Sequence, residues 1–427
     1  MDILTINIAN QVGNDISEDI LMPAIVDFPT VVQNALNEIG PLFANEPERK
    51  HFAEYLTGLM IAHKKNVSAI NREFAATTDQ SCLNRWITQA NWDEEGFNLQ
   101  RINWLQTHPD TRFSAQGVIP IDNVLVDHDG KLIEDAGYFW DHADQRYKIA
   151  HDYLIINYVC NSGKHYPLEF YRFVKKEHCE QQRIEFCDHN VLFRQLVDWC
   201  IANGIPGDFT FDSWFTHKDN LNHINALQRN YVGDLKFNRK ILFKGQELKA
   251  EELAAQIDPK DRKLIKIGDS RQWYFTKSIR IPEVDHKVRL VILWGKRHDK
   301  KARKCLITNR TAWEVTRILR AYRYRWTGTE CFHRDGKQHL GMGECQLRSG
   351  RGQTRHMYMV FLAYSILMSQ LQQGHARAWA LERLTTIGQA CRAVLHESLS
   401  QTLAWVIERA EVDRWDFKKI KVHLALA

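Results

Sequence analysis

Apolar runs of membrane-spanning length are missing from this 427-residue sequence. The longest candidate, MVFLAYSILM (359–368), falls short of the roughly 18 residues a spanning helix needs and reads as a buried helix. The opening stretch, MDILTINIANQVGNDISEDI, has no basic region ahead of an apolar one, so no secretory signal peptide is expected. Internal repeats and low-complexity linkers are also missing, which sets aside repeat architectures. Paired cysteine spacings are absent too. The nine cysteines are odd in number and scattered, which argues against a disulfide framework and for a reducing cytoplasm. The nearest approach to a metal pattern is EHCEQQRIEFCDH, with His178, Cys179, Cys187 and His189. It lacks the paired short spacings of a zinc site, so these residues read as loop and core.

What is present is ordinary in bulk and uneven in detail. Hydrophobic residues make up 44% and charged residues 26%, as in a globular protein large enough for two or three domains. Net charge is only +5, yet residues 260–356 hold 25 Lys and Arg against 9 Asp and Glu. The remainder of the chain is therefore acidic. Such segregation is the electrostatic footprint of a polyanion partner. A lipid surface fits less well, because the basic segment is not an amphipathic helix beside an apolar anchor.

Residues 30–115 space their apolar side chains by three and four, as helices do. Within them, SAINREFAATTDQSCLNRWITQANWDEE (68–95) puts two short helical patterns around TTDQS, where Thr78 or Asp79 could cap the second. This pairing resembles a helix-turn-helix, whose second helix would offer Asn84, Arg85 and Gln89 to a DNA groove. Such helix pairs also serve as plain scaffold.

From residue 116 the texture changes. GVIPIDNVLVD, HDYLIINYVC and HYPLEFYRFVKK read as three successive strands. A helix over 191–204 follows, closed by Gly204, then a strand at 208–212, a helix at 217–230 and a strand at 231–237. Residues 239–302 read as several strands with charged turns. The α/β alternation resumes with a strand at 304–310 and a helix at 312–326, and long apolar helices finish the chain. The expected division is a helical DNA-binding region (1–115), a core in two parts (116–238 and 303–375), a β-rich insertion between them (239–302) and a helical C-terminal region (376–427).

Three acids stand out against this frame. Asp122 lies inside an apolar strand, Asp212 ends another, and Glu330 begins a helix within YRYRWTGTECFHRDGK (322–337), a stretch rich in arginine and aromatics. An acid in a strand needs a partner, because Asp has low strand propensity and resists burial. Each could act locally: Asp122 in a turn, Asp212 as a helix cap, Glu330 in a capping box with Thr327. Those local roles leave unexplained their order, which is strand one, strand four, and a helix beyond strand five. On a helix, Arg334 and Lys337 share the face of Glu330, and Asp335 points to solvent.

That order resembles the ribonuclease-H-like fold of bacterial insertion-sequence DDE transposases. The resemblance sharpens at the C-terminal end, toward the group with a Tyr-Arg-Glu-Lys signature. Tyr322, Arg325, Glu330 and Lys337 match that signature with one extra residue between Arg325 and Glu330. VIPIDN and FTFDSWF are similar to the regions of the first and second acids, and a large β insertion between second and third acids also belongs to the group. The chain departs in having Asn123 where many relatives have a second Asp, and Trp214 where some have glycine.

The resemblance implies an α/β core, a ribonuclease-H-like mixed sheet flanked by helices and interrupted by the β insertion. It implies that Asp122, Asp212 and Glu330 hold two Mg²⁺ ions, or Mn²⁺ in their place, for phosphodiester cleavage and strand transfer. Tyr322, Arg325, Arg334 and Lys337 would contact DNA phosphates, and Trp273 of the insertion would stack on a base. The implied partners are the double-stranded DNA of terminal inverted repeats and target. A homodimer in a paired-end complex is expected, in the cytoplasm at the nucleoid. Two other functions fit the same residues: a non-catalytic DNA-binding descendant, and a metal-dependent nuclease without strand transfer.

Overall fold

A computed structural model describes residues 25–130, 132–268 and 270–424; the opening stretch, where no signal peptide is expected, lies outside them. Five helices come first: α1 (Thr30–Ile39), α2 (Glu46–Ile61), α3 (Val67–Arg72), α4 (Gln80–Gln89) and α5 (Glu94–Gln106). Side chains set their starts. Asn45, Asn66, Asp79 and Asp93 each accept a backbone N–H of the first turn of α2, α3, α4 and α5.

The sheet follows, with strands β1 (Val118–Asp127), β2 (Gly137–Asp141), β3 (Arg146–Val159) and β4 (His165–Phe173). Next come α6 (Lys176–Gln182), α7 (His189–Ala202), β5 (Asp208–Phe211), α8 (Lys218–Ala226) and β6 (Tyr231–Asp234). Gly204, at φ +64°, takes the left-handed position just past α7 that ends the helix. The segment expected to be mostly β holds β7 (Lys240–Phe243), β8 (Gln246–Lys249), a short helix α9 (Ala250–Gln256), β9 (Lys263–Ile267), β10 (Ser270–Ile279) and β11 (Val288–Trp294). The chain closes with β12 (Lys304–Thr308), α10 (Val315–Gly328), α11 (Glu330–His339), α12 (Gly350–Gln370), α13 (Ile387–Glu411) and α14 (Phe417–His423).

In the main sheet β4 and β2 share one edge of β3, and the order then runs β3-β1-β5-β6-β12-β11-β10-β9. β1, β3 and β4 pair antiparallel, while β5 is parallel to β1 and β6 to β5. The order β4-β3-β1-β5-β6 is a ribonuclease-H-like mixed sheet, flanked by helices as the sequence led us to expect. β9, β10 and β11 extend this same sheet through β12, and β7–β8 form a separate hairpin.

Period-two alternation sorts the strands onto two cores. Ile119, Ile121, Phe209 and Phe211 face α7, packing with Phe193 and Val197. Val118, Val159 and Val232 face the other way, onto Ile318 and Ala321 of α10. A third core joins α1–α5 to α12 and α13. Two buried arginines tie it together. Arg355 of α12 donates to Ala90 O at 2.7 Å and Trp92 O at 3.0 Å, just past the end of α4. Arg101 of α5 donates to Pro167 O of β4 and Ser365 Oγ of α12, at 2.8 and 2.9 Å. Among the described residues no helix is long and apolar enough to cross a membrane.

Candidate active site

Strand register brings the first two acids together. Val118 lies opposite Asp208, and Pro120 opposite Thr210, on parallel neighbours. Asp122 and Asp212 each lie two residues further along. Both follow the even positions of their strands, which face α10. Asp208, on that side, lies 3.8 Å from Arg317 of α10.

Close packing brings the third acid. A Cβ on Gly328 would sit 2.5 Å from Pro120 Cγ and 2.8 Å from Val159 Cγ2, so only glycine lets α10 close onto β1 and β3 at this depth. One turn earlier, Arg325 donates to Asp122 Oδ2 at 2.5 Å. One residue later, Thr329 Oγ1 lies 3.5 Å from the same oxygen and donates to Arg325 O at 2.8 Å. Thr329 (φ −100°, ψ −64°) both ends α10 and starts α11. The extra residue between Arg325 and Glu330 is absorbed at this junction. Thr329, four residues after Arg325, takes the position facing Asp122, and Glu330 follows it, exposed, at the first position of α11.

The electrostatics tie Asp212 and Glu330 to Asp122. Burial pushes the Asp122 carboxyl up to about 7; Arg325 opposes that rise, and the charges of Asp212 and Glu330 add to it. Burial disfavours the charge on Arg325, but Asp122, with Tyr322, Asp212 and Glu330, holds it above its usual value. The backbone N–H of Trp214 donates to Asp212 Oδ1 at 2.8 Å and fixes that carboxylate.

A supporting layer escaped sequence reasoning. Asp234 ends β6, and burial raises its carboxyl while Lys304, 2.9 Å away, holds it down. Lys304 Nζ also lies 3.4 Å from the Tyr322 hydroxyl. Thr216 Oγ1 bridges the carbonyls of Asp212 and Asp234 at 3.1 and 2.5 Å. The signal for Asp234 was available: YVGDLKF holds an acid in a strand, as VIPIDN does.

The remaining expected residues lie on several elements. Tyr322 is half-buried, with the Arg325 guanidinium 5.8 Å from its ring. Lys337 donates to Leu125 O at 2.6 Å, further along β1. Arg334 pairs with Asp335 at 2.9 Å. Asp335 therefore does not point freely to solvent: its side chain is 13% exposed and paired with that arginine. Trp273 is half-buried beside Trp294, with Arg297 5.2 Å from its ring. Arg85 lies on the exposed face of α4, remote in the fold from the sheet, and its guanidinium lies 3.3 Å from Cys82 Sγ.

Three carboxylates, one with its proton affinity raised chiefly by burial and further by the other two, and opposed by a guanidinium, form a centre that calls for positive charge. Hard oxygen donors of this kind suit Mg²⁺ or Mn²⁺. Among the described residues no three such side chains already stand at ligating distances. The donor set fits a divalent cation by its chemistry, with Arg325 as the positive charge now beside Asp122.

Fold and site together define an α/β protein with an acidic centre formed within β1 and just past the end of its parallel neighbour β5. Residues 188–366 match a family model described as a transposase DDE domain, a span that includes Asp212 and Glu330 and starts after Asp122. No curated protein matches the chain. The match covers less than half of the sequence and supports a DDE transposase.

Proposed function

We propose that this chain is the transposase of an insertion sequence, cutting DNA at the element's ends and joining them to a target. The observation that carries this reading is geometric: parallel β1 and β5 carry Asp122 and Asp212 at matching positions, and Arg325 of α10 binds Asp122 just before Glu330 opens the next helix. Asp122, Asp212 and Glu330 would hold the metal ions. When bound, two divalent cations would activate the attacking oxygen and stabilise the leaving one. In the first reaction a water oxygen bonds to phosphorus, the bond to the 3′ oxygen breaks, and that oxygen leaves as a 3′-hydroxyl. In the second, the 3′-hydroxyl attacks a target phosphodiester and displaces its 3′ oxygen.

Arg325, Tyr322, Arg334 and Lys337 would orient phosphates, the arginines through paired N–H groups. Arg325 then has two duties: balancing Asp122 without DNA, and binding phosphate with it. The excess of basic residues over 260–356 supports a broad DNA path. Trp273 and the exposed face of α4 with Arg85 would extend that path. Two ends need two centres, so we infer a homodimer. Leu395, Leu399, Leu403 and Ile407 support it: they recur every four residues along α13, between 38% and 61% exposed. The unpaired cysteines fit a cytoplasmic protein acting at the nucleoid.

The test is a supercoiled plasmid carrying the open reading frame with its native flanking DNA, incubated with the protein and Mg²⁺ or Mn²⁺. Excision with joining supports the proposal. Nicking alone would point to a nuclease, and retarded mobility without cleavage to a DNA-binding descendant.

A further inference from the structure

Trp214 is an indole where burial is expected. It is 60% exposed, two residues past Asp212, on the loop between β5 and α8. Its neighbours hold that loop firmly. Phe215 is fully buried and stacks on Phe193 with ring centroids 5.2 Å apart. Thr216 is bound to the carbonyls of Asp212 and Asp234. The indole is therefore presented to solvent by a fixed support. Lys236 Nζ lies 5.4 Å from its ring centroid. Beside it opens a cleft of about 390 Å³, lined by Asn190, Trp214, His217, Lys236, Asn238 and Arg239.

A flat apolar face next to a lysine and an arginine suits a nucleotide, with the base on the ring and the phosphate on the cations. A rigid aromatic gives contact area with little ordering cost on binding. Trp273 offers less, being half-buried with Arg297 near its ring. We propose that Trp214 and its cleft bind the nucleotide next to the phosphodiester that reacts at the acidic centre, the base stacking on the indole and Lys236 and Arg239 taking the adjoining phosphate. This rests on the transposase reading and adds a binding residue to it. It also gives the hydrogen bond from Trp214 N–H to Asp212 a purpose: base position and carboxylate orientation share one short segment.

The experiment compares full-length protein with Trp214→Ala and Trp214→Phe. Neither substitution removes the backbone N–H that Asp212 accepts, and the exposed side chain leaves the core intact. Two probes are used: a fluorescein-labelled single strand of twelve thymidines, and the plasmid described above with Mg²⁺. Trp214→Ala is expected to weaken oligonucleotide binding and raise KM for plasmid nicking by about tenfold, with kcat less affected, and Trp214→Phe to restore most of both. Unchanged binding and KM in Trp214→Ala, with wild-type protein active, overturns the inference alone. Equal impairment in Ala and Phe also overturns it, since stacking would not be the property lost. Wild-type protein that neither binds the oligonucleotide nor nicks the plasmid overturns the transposase reading, and this inference with it.

Discussion

Two triads of carboxylates meet a single cation in this protein, and both draw on β1. One gathers Asp122, Asp212 and Glu330 around Arg325. The other gathers Asp127, Asp141 and Asp144 around Lys148, whose Nζ lies 2.7, 2.8 and 2.7 Å from them. By distance alone the second is the tighter cluster. Their proton affinities run opposite ways. Asp122 is pushed up to about 7, chiefly by burial. Asp141 is pulled down to about 2, chiefly by its hydrogen bond from Lys148. At Lys148 one cation satisfies its carboxylates at a surface where water helps. At Arg325 burial leaves a charge that one guanidinium does not fully balance. Burial and a shortfall of positive charge, more than the number of acids, mark the site that could recruit a metal.

The largest test of this contrast is catalytic. Asp122→Asn and Asp212→Asn should each lower plasmid nicking by at least about a thousandfold, as losing a metal ligand costs several kcal/mol of transition-state stabilisation. DNA binding in a mobility-shift assay should persist. Asp141→Asn should stay within about twofold of wild type. Equal losses in both triads would erase the distinction.

A second test uses pH in metal-free buffer. Asp122 has a folded-state value above its ordinary one near 3.9, so its contribution to stability is complete below about pH 4 and is lost as pH rises through about 7. Urea unfolding should show stability declining over that interval, by no more than about 1.4 kcal/mol per pH unit from this one group. Asp122→Asn should flatten the decline. An unchanged profile would mean that Arg325 balances the carboxylate fully.

The third test concerns seating. Gly328→Ala places a methyl against Pro120 and Val159, both on strands that cannot yield easily. Overpacking of this kind costs about 1–3 kcal/mol, read as a lower urea midpoint. It should also lift Arg325 from Asp122 and slow nicking, while the Lys148 triad is untouched.

Much of this was legible in the sequence, for physical reasons that differ by element. β1, β3, β4 and β5 could be read because apolar β-branched runs end at Gly, Asn or Asp. Asp122 and Asp212 stood out because an acid there needs an explanation. What stayed hidden depends on long-range pairing. That β9–β11 continue the main sheet rests on hydrogen bonds between β11 and β12, which no local pattern displays. Asp234 and Lys304 meet across 70 residues of sequence. The role of Thr329 beside Asp122 depends on where α10 breaks, and one residue of helix turns a side chain by about 100°. Arg334 could have faced Glu330 by spacing alone, yet pairs with its own neighbour.

The smallest expected effect belongs to the Lys148 triad. Asp141 has a folded-state value below its ordinary one, so its stabilising contribution is present above about pH 4 and is lost as pH falls through about 2. Asp141→Asn should therefore flatten only the acid limb of the unfolding profile, opposite in sign to Asp122→Asn. Added salt should shrink the difference further, because the Lys148 cluster lies where mobile ions screen it. The buried pair of Asp122 and Arg325 should respond much less to salt. If both triads weakened alike with ionic strength, the surroundings of Asp122 would have to be as open to mobile ions as those of Asp127 and Asp144, whose side chains are 49% and 46% exposed. Burial would then no longer set the first triad apart from the second.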